Sequence, residues 1–160
     1  MTIQPRDKMP SGSFSIMTDS GSGELSTDEL FAGKKVVLIS VPGAFTPTCS
    51  KNHLPGFVDQ ADALAAKGVD TIACMAVNDV YVMHAWGKDR SVGDKVIMLA
   101  DGNGDYARAL GLELDASGYG MGMRGQRFAL IVDDGVATHV AIEAAGQFEV
   151  SKAEAILDQL

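Results

Sequence analysis

The sequence predicts an α/β fold: a central mixed, mostly parallel sheet flanked by helices. Three observations carry this. Residues 35–41 are an unbroken, β-branched apolar run, the pattern of a strand covered on both faces, and 70–77 and 95–100 are two further apolar strand candidates. Helical periods separate these runs, and strands alternating with helices build parallel sheets. Residues 128–132 and 136–142 flank Asp133-Asp134-Gly135, a strong hairpin signal that adds antiparallel edges. No repeat or linker breaks the 160 residues, so one domain spanning 1–160 is expected.

The elements follow in order. Residues 1–12 are polar, carry Pro5 and Pro10, and read as a lead-in. Ser13-Phe14-Ser15-Ile16-Met17 alternates, as a short edge strand does. Ser26-Thr27-Asp28-Glu29 is a capping box that opens a brief helix through Phe31, closed by Gly33. After the first buried strand, residues 48–67 keep a helical period through Leu54, Phe57, Val58, Ala61, Leu64 and Ala65, and Gly68 stops it. Pro55 removes an amide donor and crowds the preceding turn, so a kink is expected near residues 51–54. The second strand holds Cys74. Asn78 is the expected cap of a helix from Asp79 to about Lys88, carrying Val82, Met83 and Trp86. The third strand leads into an Asp101-Gly102-Asn103-Gly104 turn and a short helix from Tyr106 to Leu110. Gly118, Gly120, Gly122 and Gly125 make residues 115–125 a turned or mobile loop. Ser151 and Glu154 are placed to cap a last helix with Ala155, Ile156 and Leu157. The predicted order is βαβαβαββα.

The totals exclude several function classes. Apolar residues are 46% and charged residues 21% of the chain, unlike a disordered segment. A net charge of −8 repels phosphate backbones and anionic headgroups, so neither nucleic acid nor membrane is an expected partner. No run approaches the ~20 apolar residues of a membrane helix, and residues 1–8 lack a signal-peptide core. Two cysteines make no disulfide framework, which points to a reducing, cytoplasmic setting.

One cysteine stands out by position. Pro42-Gly43-Ala44-Phe45-Thr46-Pro47-Thr48-Cys49-Ser50 joins the first buried strand to the first long helix. Cys49 falls in the opening turn, where amides lack partners and the dipole is positive, and both favour a thiolate. Thr46 stands three residues upstream with a hydroxyl, and Pro47 suits a first helical position. By position alone, a buried structural cysteine is equally open.

That stretch, followed by His53-Leu54-Pro55-Gly56-Phe57, resembles the active-site signature of peroxiredoxins, nearest to the peroxiredoxin-V group with its plant type II enzymes. The resemblance runs on through Val77-Asn78-Asp79, Ala85-Trp86-Gly87-Lys88, Asp101-Gly102, Ala109-Leu110-Gly111-Leu112 and Arg124-Gly125-Gln126-Arg127-Phe128, across about residues 30 to 140. It implies a thioredoxin-like fold and a thiol peroxidase for hydrogen peroxide and alkyl hydroperoxides, in antioxidant defence. Cys49 would attack peroxide oxygen and become a sulfenic acid. Thr46 and the Cys49 amide would hold the peroxide. The matching arginine is taken as the first of Arg-x-x-Arg-Phe, Arg124, stabilising the thiolate and the departing oxygen, in preference to Arg127. Gly125 departs from the serine more usual there. Pro42 would shield the sulfenic acid, and Gly43, Phe45 and His53 would line or support the pocket. No cofactor or metal is called for, because the reaction is a displacement at oxygen. A homodimer packed through the active-site loops is also implied.

Several residues have competing readings. His53, one turn beyond Cys49, has the alternative of a general base in a cysteine hydrolase. His84 and His139 read as solvated or packing residues. Cys74 is either a small buried hydrophobe or a resolving thiol for Cys49; the first is preferred, because a bridge needs Cα atoms within about 7 Å. The C-terminal cysteine that some animal members of the resembled family use is absent after residue 74, so the resemblance implies regeneration by an external thiol, glutathione or glutaredoxin, with thioredoxin second. Two other functions compete. A thiol-disulfide oxidoreductase would want Cys-x-x-Cys, yet Thr46 holds the first place, and all five prolines lie at or before residue 55. A redox sensor or binding module would use Cys49 oxidation to change a protein contact.

Overall fold

The computed structural model describes residues 1–160. A seven-stranded sheet runs through the molecule in the order β2-β1-β5-β4-β3-β8-β9. Its strands are β1 (Ser13–Thr18), β2 (Gly21–Ser26), β3 (Lys35–Ser40), β4 (Thr71–Ala76), β5 (Ile97–Ala100), β8 (Phe128–Asp133) and β9 (Val136–Ile142). β6 (Glu113–Asp115) and β7 (Met123–Gly125) form a separate antiparallel pair. The parallel part of the sheet is β3 beside β4 and β4 beside β5. The sheet's other four pairings are antiparallel, so it is mixed as expected but not mostly parallel, because the hairpin strands at both ends and the β3–β8 pairing run antiparallel.

Alternation explains why the central strands are apolar throughout. On β3, Val37 and Ile39 face one core, and Val36 and Leu38 face the other. The first core takes Leu54 and Phe57 of α2 (Leu54–Asp59), and Ala61 and Leu64 of α3 (Ala61–Ala66). Val80, Met83 and Trp86 of α4 (Val80–Asp89) and Ile156 of α6 (Ala153–Leu157) complete it. The second takes Leu30 and Phe31 of α1 (Thr27–Phe31), and Tyr106 and Ala107 of α5 (Asp105–Ala109). Cys49 and Cys74 both belong to the first core.

Local chemistry meets several expectations. Ser26 and Glu29 form the capping box on α1. At the β8–β9 turn, Asp134 and Gly135 have φ of 47° and 81°, the paired left-handed conformation that an Asp-Gly hairpin turn requires. The kink before Pro55 is a π-helical turn, Cys49–His53, in which the Leu54 amide donates to the Cys49 carbonyl. The extra residue absorbs the clash that Pro55 imposes on the turn before it.

Other expectations change. Residues 13–17 are not an edge: β1 lies between β2 and β5, because 21–26 folds back as a hairpin strand the sequence pattern did not disclose. The cap of α4 is Asp79, whose carboxylate accepts from the Val82 amide, while Asn78 turns to the Cys49 loop. Ser151 caps nothing; α6 starts after Lys152 without a side-chain cap, and the Ser151 hydroxyl donates to Glu143 instead. The glycine-rich stretch is ordered as β6, a 3₁₀ turn at Ser117–Tyr119, and β7.

Candidate active site

β3 ends at Ser40, and the chain crosses its C-terminal edge to enter a helical turn at Pro47. The Ser50 amide donates to the Thr46 carbonyl at 2.9 Å, closing that first turn around Cys49. Cys49 is fully buried. Its helix is pinned to α4 by two bonds on Ser50: Trp86 Nε1 donates to the hydroxyl at 2.9 Å, and Arg90 Nη1 donates to the carbonyl at 2.9 Å. The loop before it is held by the Ala44 amide, which donates to Asn78 Oδ1 at 2.9 Å.

The arginine on the sulfur is Arg127. Its Nη2 donates to Cys49 Sγ at 3.0 Å, and its Nη1 lies 2.8 Å from His53 Nδ1. This corrects the assignment of Arg124. Arg124 spends its guanidinium on the carbonyls of Met121 (2.9 Å) and Val77 (3.1 Å), and so braces the neighbouring loops. The reason lies in strand alternation. Ala129 and Ile131 of β8 face the core that contains Cys49, and Arg127 stands two residues before Ala129 on the same side. β8 pairs with β3 so that Phe128 sits opposite Ser40, which places Arg127 just past the end of β3, where the Cys49 loop begins.

His53 is buried, with Nε2 at 3.1 Å from the Ser151 carbonyl. Its pKa falls to about 3, first through burial and then through the Arg127 charge, against the opposing pull of the Ser151 carbonyl and Glu143. A neutral ring bonded on both nitrogens is a support for Arg127, not a proton acceptor for Cys49. Phe148 packs edge-on against His53 at 5.2 Å and faces the Arg127 guanidinium at 5.8 Å.

The Thr46 hydroxyl donates to the Gly43 carbonyl at 2.7 Å, and so buttresses the loop where a bond to the thiolate was expected. Gly43 sits in a tight place: a Cβ there would meet Met121 Cε and Thr46 Cγ2 at 3.2 Å, so those side chains would have to give by a few tenths of an ångström. Pro42 lines a cleft of about 300 Å³ together with Thr48, Leu114, Tyr119, Arg127 and Phe148. Phe45 stands outside it. Its φ is 64°, its side chain is 51% exposed, and its ring tilts against Trp86 at 6.5 Å.

Cys74 lies buried in β4, between Ile39 and Met98. Burial, and then the neighbouring Cys49, push its thiol far above the ordinary thiol range. Such a thiol stays neutral and is a poor nucleophile. No three His, Cys, Asp or Glu side chains converge to hold a metal, and no helix is long and apolar enough to cross a membrane. No sequence signal points to Glu143 or Phe148 at the site, and Ser151 reads in sequence only as a helix cap. They lie in a segment without periodicity, and only the return of the chain after β9 brings them to Arg127.

What can this arrangement do? A buried thiol in the first turn of a helix has one guanidinium N–H of Arg127 on its sulfur. That stabilises a sulfur anion and any anion that departs from it.

The Redoxin family model matches residues 4–157. The chain is 50% identical over 165 residues to peroxiredoxin-2E-2, chloroplastic, of Oryza sativa subsp. japonica, covering 99% of this chain and 73% of that protein. It is 48% identical over 155 residues to peroxiredoxin-2B of Arabidopsis thaliana, covering 96% of each. Among solved structures, reduced Prx3 of Vibrio vulnificus in complex with hydrogen peroxide superposes with a TM-score of 0.95 at 50% identity, covering 99% of both chains.

Proposed function

We propose, from the premise that this chain belongs to the redoxin family and within it to the peroxiredoxins, that Cys49 is the nucleophile of a thiol-dependent peroxidase with Arg127 as its charged partner. The observation that carries this is the 3.0 Å contact between Arg127 Nη2 and Cys49 Sγ. The Cys49 thiolate attacks the terminal oxygen of ROOH. The O–O bond breaks, sulfur keeps the OH as a sulfenic acid, and RO⁻ leaves and takes a proton as water or an alcohol. The Arg127 fork stabilises the thiolate before the step and the departing oxygen during it. Thr46 and Gly43 hold the loop in shape, and Pro42 roofs the approach.

Hydrogen peroxide is the first substrate to test, since the Vibrio relative was solved with it. Alkyl hydroperoxides are the second, because Leu114, Tyr119 and Phe148 give the cleft apolar walls. For regeneration, an external thiol displaces water from the sulfenic acid to give a mixed disulfide. A second thiol then releases the Cys49 thiolate. Glutathione with glutaredoxin is the proposed donor and thioredoxin the alternative, supported by the burial of Cys74. A reducing compartment, the cytoplasm, suits this cycle. A homodimer is proposed through the loops near the site, where Phe45 and Tyr119 stand exposed.

The test is the second-order rate constant with hydrogen peroxide for the wild type and Cys49→Ser. The wild type should far exceed a free thiol and the variant should be inert. A wild-type rate no faster than free cysteine overturns the proposal. Turnover coupled to glutathione and glutaredoxin, set against turnover with thioredoxin, separates the reductants.

A further inference from the structure

Arg127 sits on a closed ring of hydrogen bonds that begins and ends on itself. Its carbonyl accepts from the Glu143 amide at 3.1 Å. The Glu143 carboxylate accepts from the Ser151 amide at 2.8 Å, the Ser151 hydroxyl at 2.6 Å and the Glu149 amide at 2.8 Å. The Ser151 carbonyl faces His53 Nε2 at 3.1 Å. His53 Nδ1 faces Arg127 Nη1 at 2.8 Å. From this ring we propose that Glu143 is a positioning residue for the Cys49 chemistry: it clamps Ser151, the Ser151 carbonyl fixes which imidazole nitrogen of His53 carries the proton, and that tautomer aims Arg127 at the sulfur.

The chemistry leaves one arrangement. An arginine guanidinium only donates, so His53 Nδ1 must present its lone pair. The proton therefore sits on Nε2, and a buried N–H needs an acceptor. The only one in place is the Ser151 carbonyl. That carbonyl belongs to a loop segment without helix or strand pairing of its own, so its position depends on what holds the loop. Glu143 does so with three accepted bonds from a nearly buried position, 7% exposed. Those bonds, set against its burial, leave its pKa below the usual carboxylate range, so the clamp is ionised at neutral pH. Phe148 packs on both His53 and Arg127, at 5.2 Å and 5.8 Å.

The alternative is that Glu143 only stabilises the loop. The two differ in their coupling to Arg127. The inference rests on the peroxidase reading, so the wild-type peroxide rate is measured first; a wild-type rate at the free-thiol level ends that reading and this one with it. Given a fast wild type, Glu143→Gln should slow peroxide reduction about tenfold or more, as a lost bond to a charged group implies. In an Arg127→Ala background the same change should have almost no further effect, because a group that acts through Arg127 cannot act once it is gone. Imidazole proton–nitrogen correlation spectra should place the His53 proton on Nε2 in the wild type and show a mixed or shifted ring in Glu143→Gln. Ser151→Ala removes only the hydroxyl bond and keeps the backbone clamp. It should fold and give a smaller loss in the same direction, which keeps the test open if Glu143→Gln is unstable. The proposal is overturned by a Glu143→Gln or Ser151→Ala rate equal to wild type, by losses that add to Arg127→Ala, or by a wild-type His53 protonated on Nδ1.

Discussion

Replacing Arg127 with alanine takes two donors out of the site at once: the one on Cys49 Sγ at 3.0 Å and the one on His53 Nδ1 at 2.8 Å. The second loss is structural, since a neutral ring keeps its other bond to Ser151. The first reaches the reaction itself. Sulfur and the departing oxygen both carry negative charge near the guanidinium, and both lose their charged donor. A hydrogen bond to a charged group contributes about 1.5–3 kcal/mol, and deleting a donor aimed at a developing oxyanion slows reactions about 100- to 1,000-fold. Arg127→Ala should fall in that range for the second-order rate with hydrogen peroxide. Arg124→Ala is the control. It loses its bonds to the Met121 and Val77 carbonyls, which should cost about 1–2 kcal/mol of stability and less than about tenfold in rate. Stopped-flow fluorescence can follow both, because the single tryptophan, Trp86, donates to Ser50 beside Cys49. If Arg124→Ala is the more damaging change, or Arg127→Ala stays within about fivefold of wild type, the assignment of the sulfur's partner is wrong.

Two further outcomes follow from the buried groups. Cys74→Ser should leave the peroxide rate unchanged, while the hydroxyl placed in the apolar core lowers stability by about 1–3 kcal/mol. Mass spectrometry of wild type after one equivalent of peroxide should then find a sulfenic acid or a glutathione adduct on Cys49, and a Cys49–Cys74 disulfide would reverse the external-thiol proposal. His53 makes stability depend on acid. Its folded pKa of about 3 lies below the ordinary 6.5, so between those values the unfolded chain holds a proton that the folded chain does not. Stability contributed by the neutral ring is complete above pH 6.5 and is lost at up to about 1.4 kcal/mol per pH unit as pH falls toward 3. Urea titrations across that window should give a shallower pH slope for His53→Gln, and identical slopes would refute the burial of a neutral ring.

Legibility differed between elements for physical reasons. The strands through Leu38, Met75 and Leu130 could be read because both faces are buried, so composition alone reports them. The hairpin was legible at Asp134-Gly135 because few residues tolerate its φ angles. The strand at 21–26, Gly-Ser-Gly-Glu-Leu-Ser, has neither signal, and it forms because β1 offers an edge. Asn78 and Asp79 are both good caps. Which one caps α4 was settled by the Ala44 amide, a group 34 residues away that takes the asparagine. The same holds for Ser151, whose capping pattern gave way to the Glu143 carboxylate.

By itself the sequence determined that one thiol stands at the mouth of a helix after a buried strand, in a loop stiffened by Pro42 and Pro47 and resembling a peroxidatic signature. Those are properties of neighbouring residues, and local chemistry suffices to read them. Which cation meets that thiol was decided by tertiary structure. Arg124 and Arg127 are three residues apart and chemically identical. β8 enters the sheet in a register that turns residue 127, with Ala129 and Ile131, toward the core containing Cys49, and leaves Arg124 on β7 to brace the loops. A side chain's face follows from strand register, and register is set by pairing partners far away in the chain.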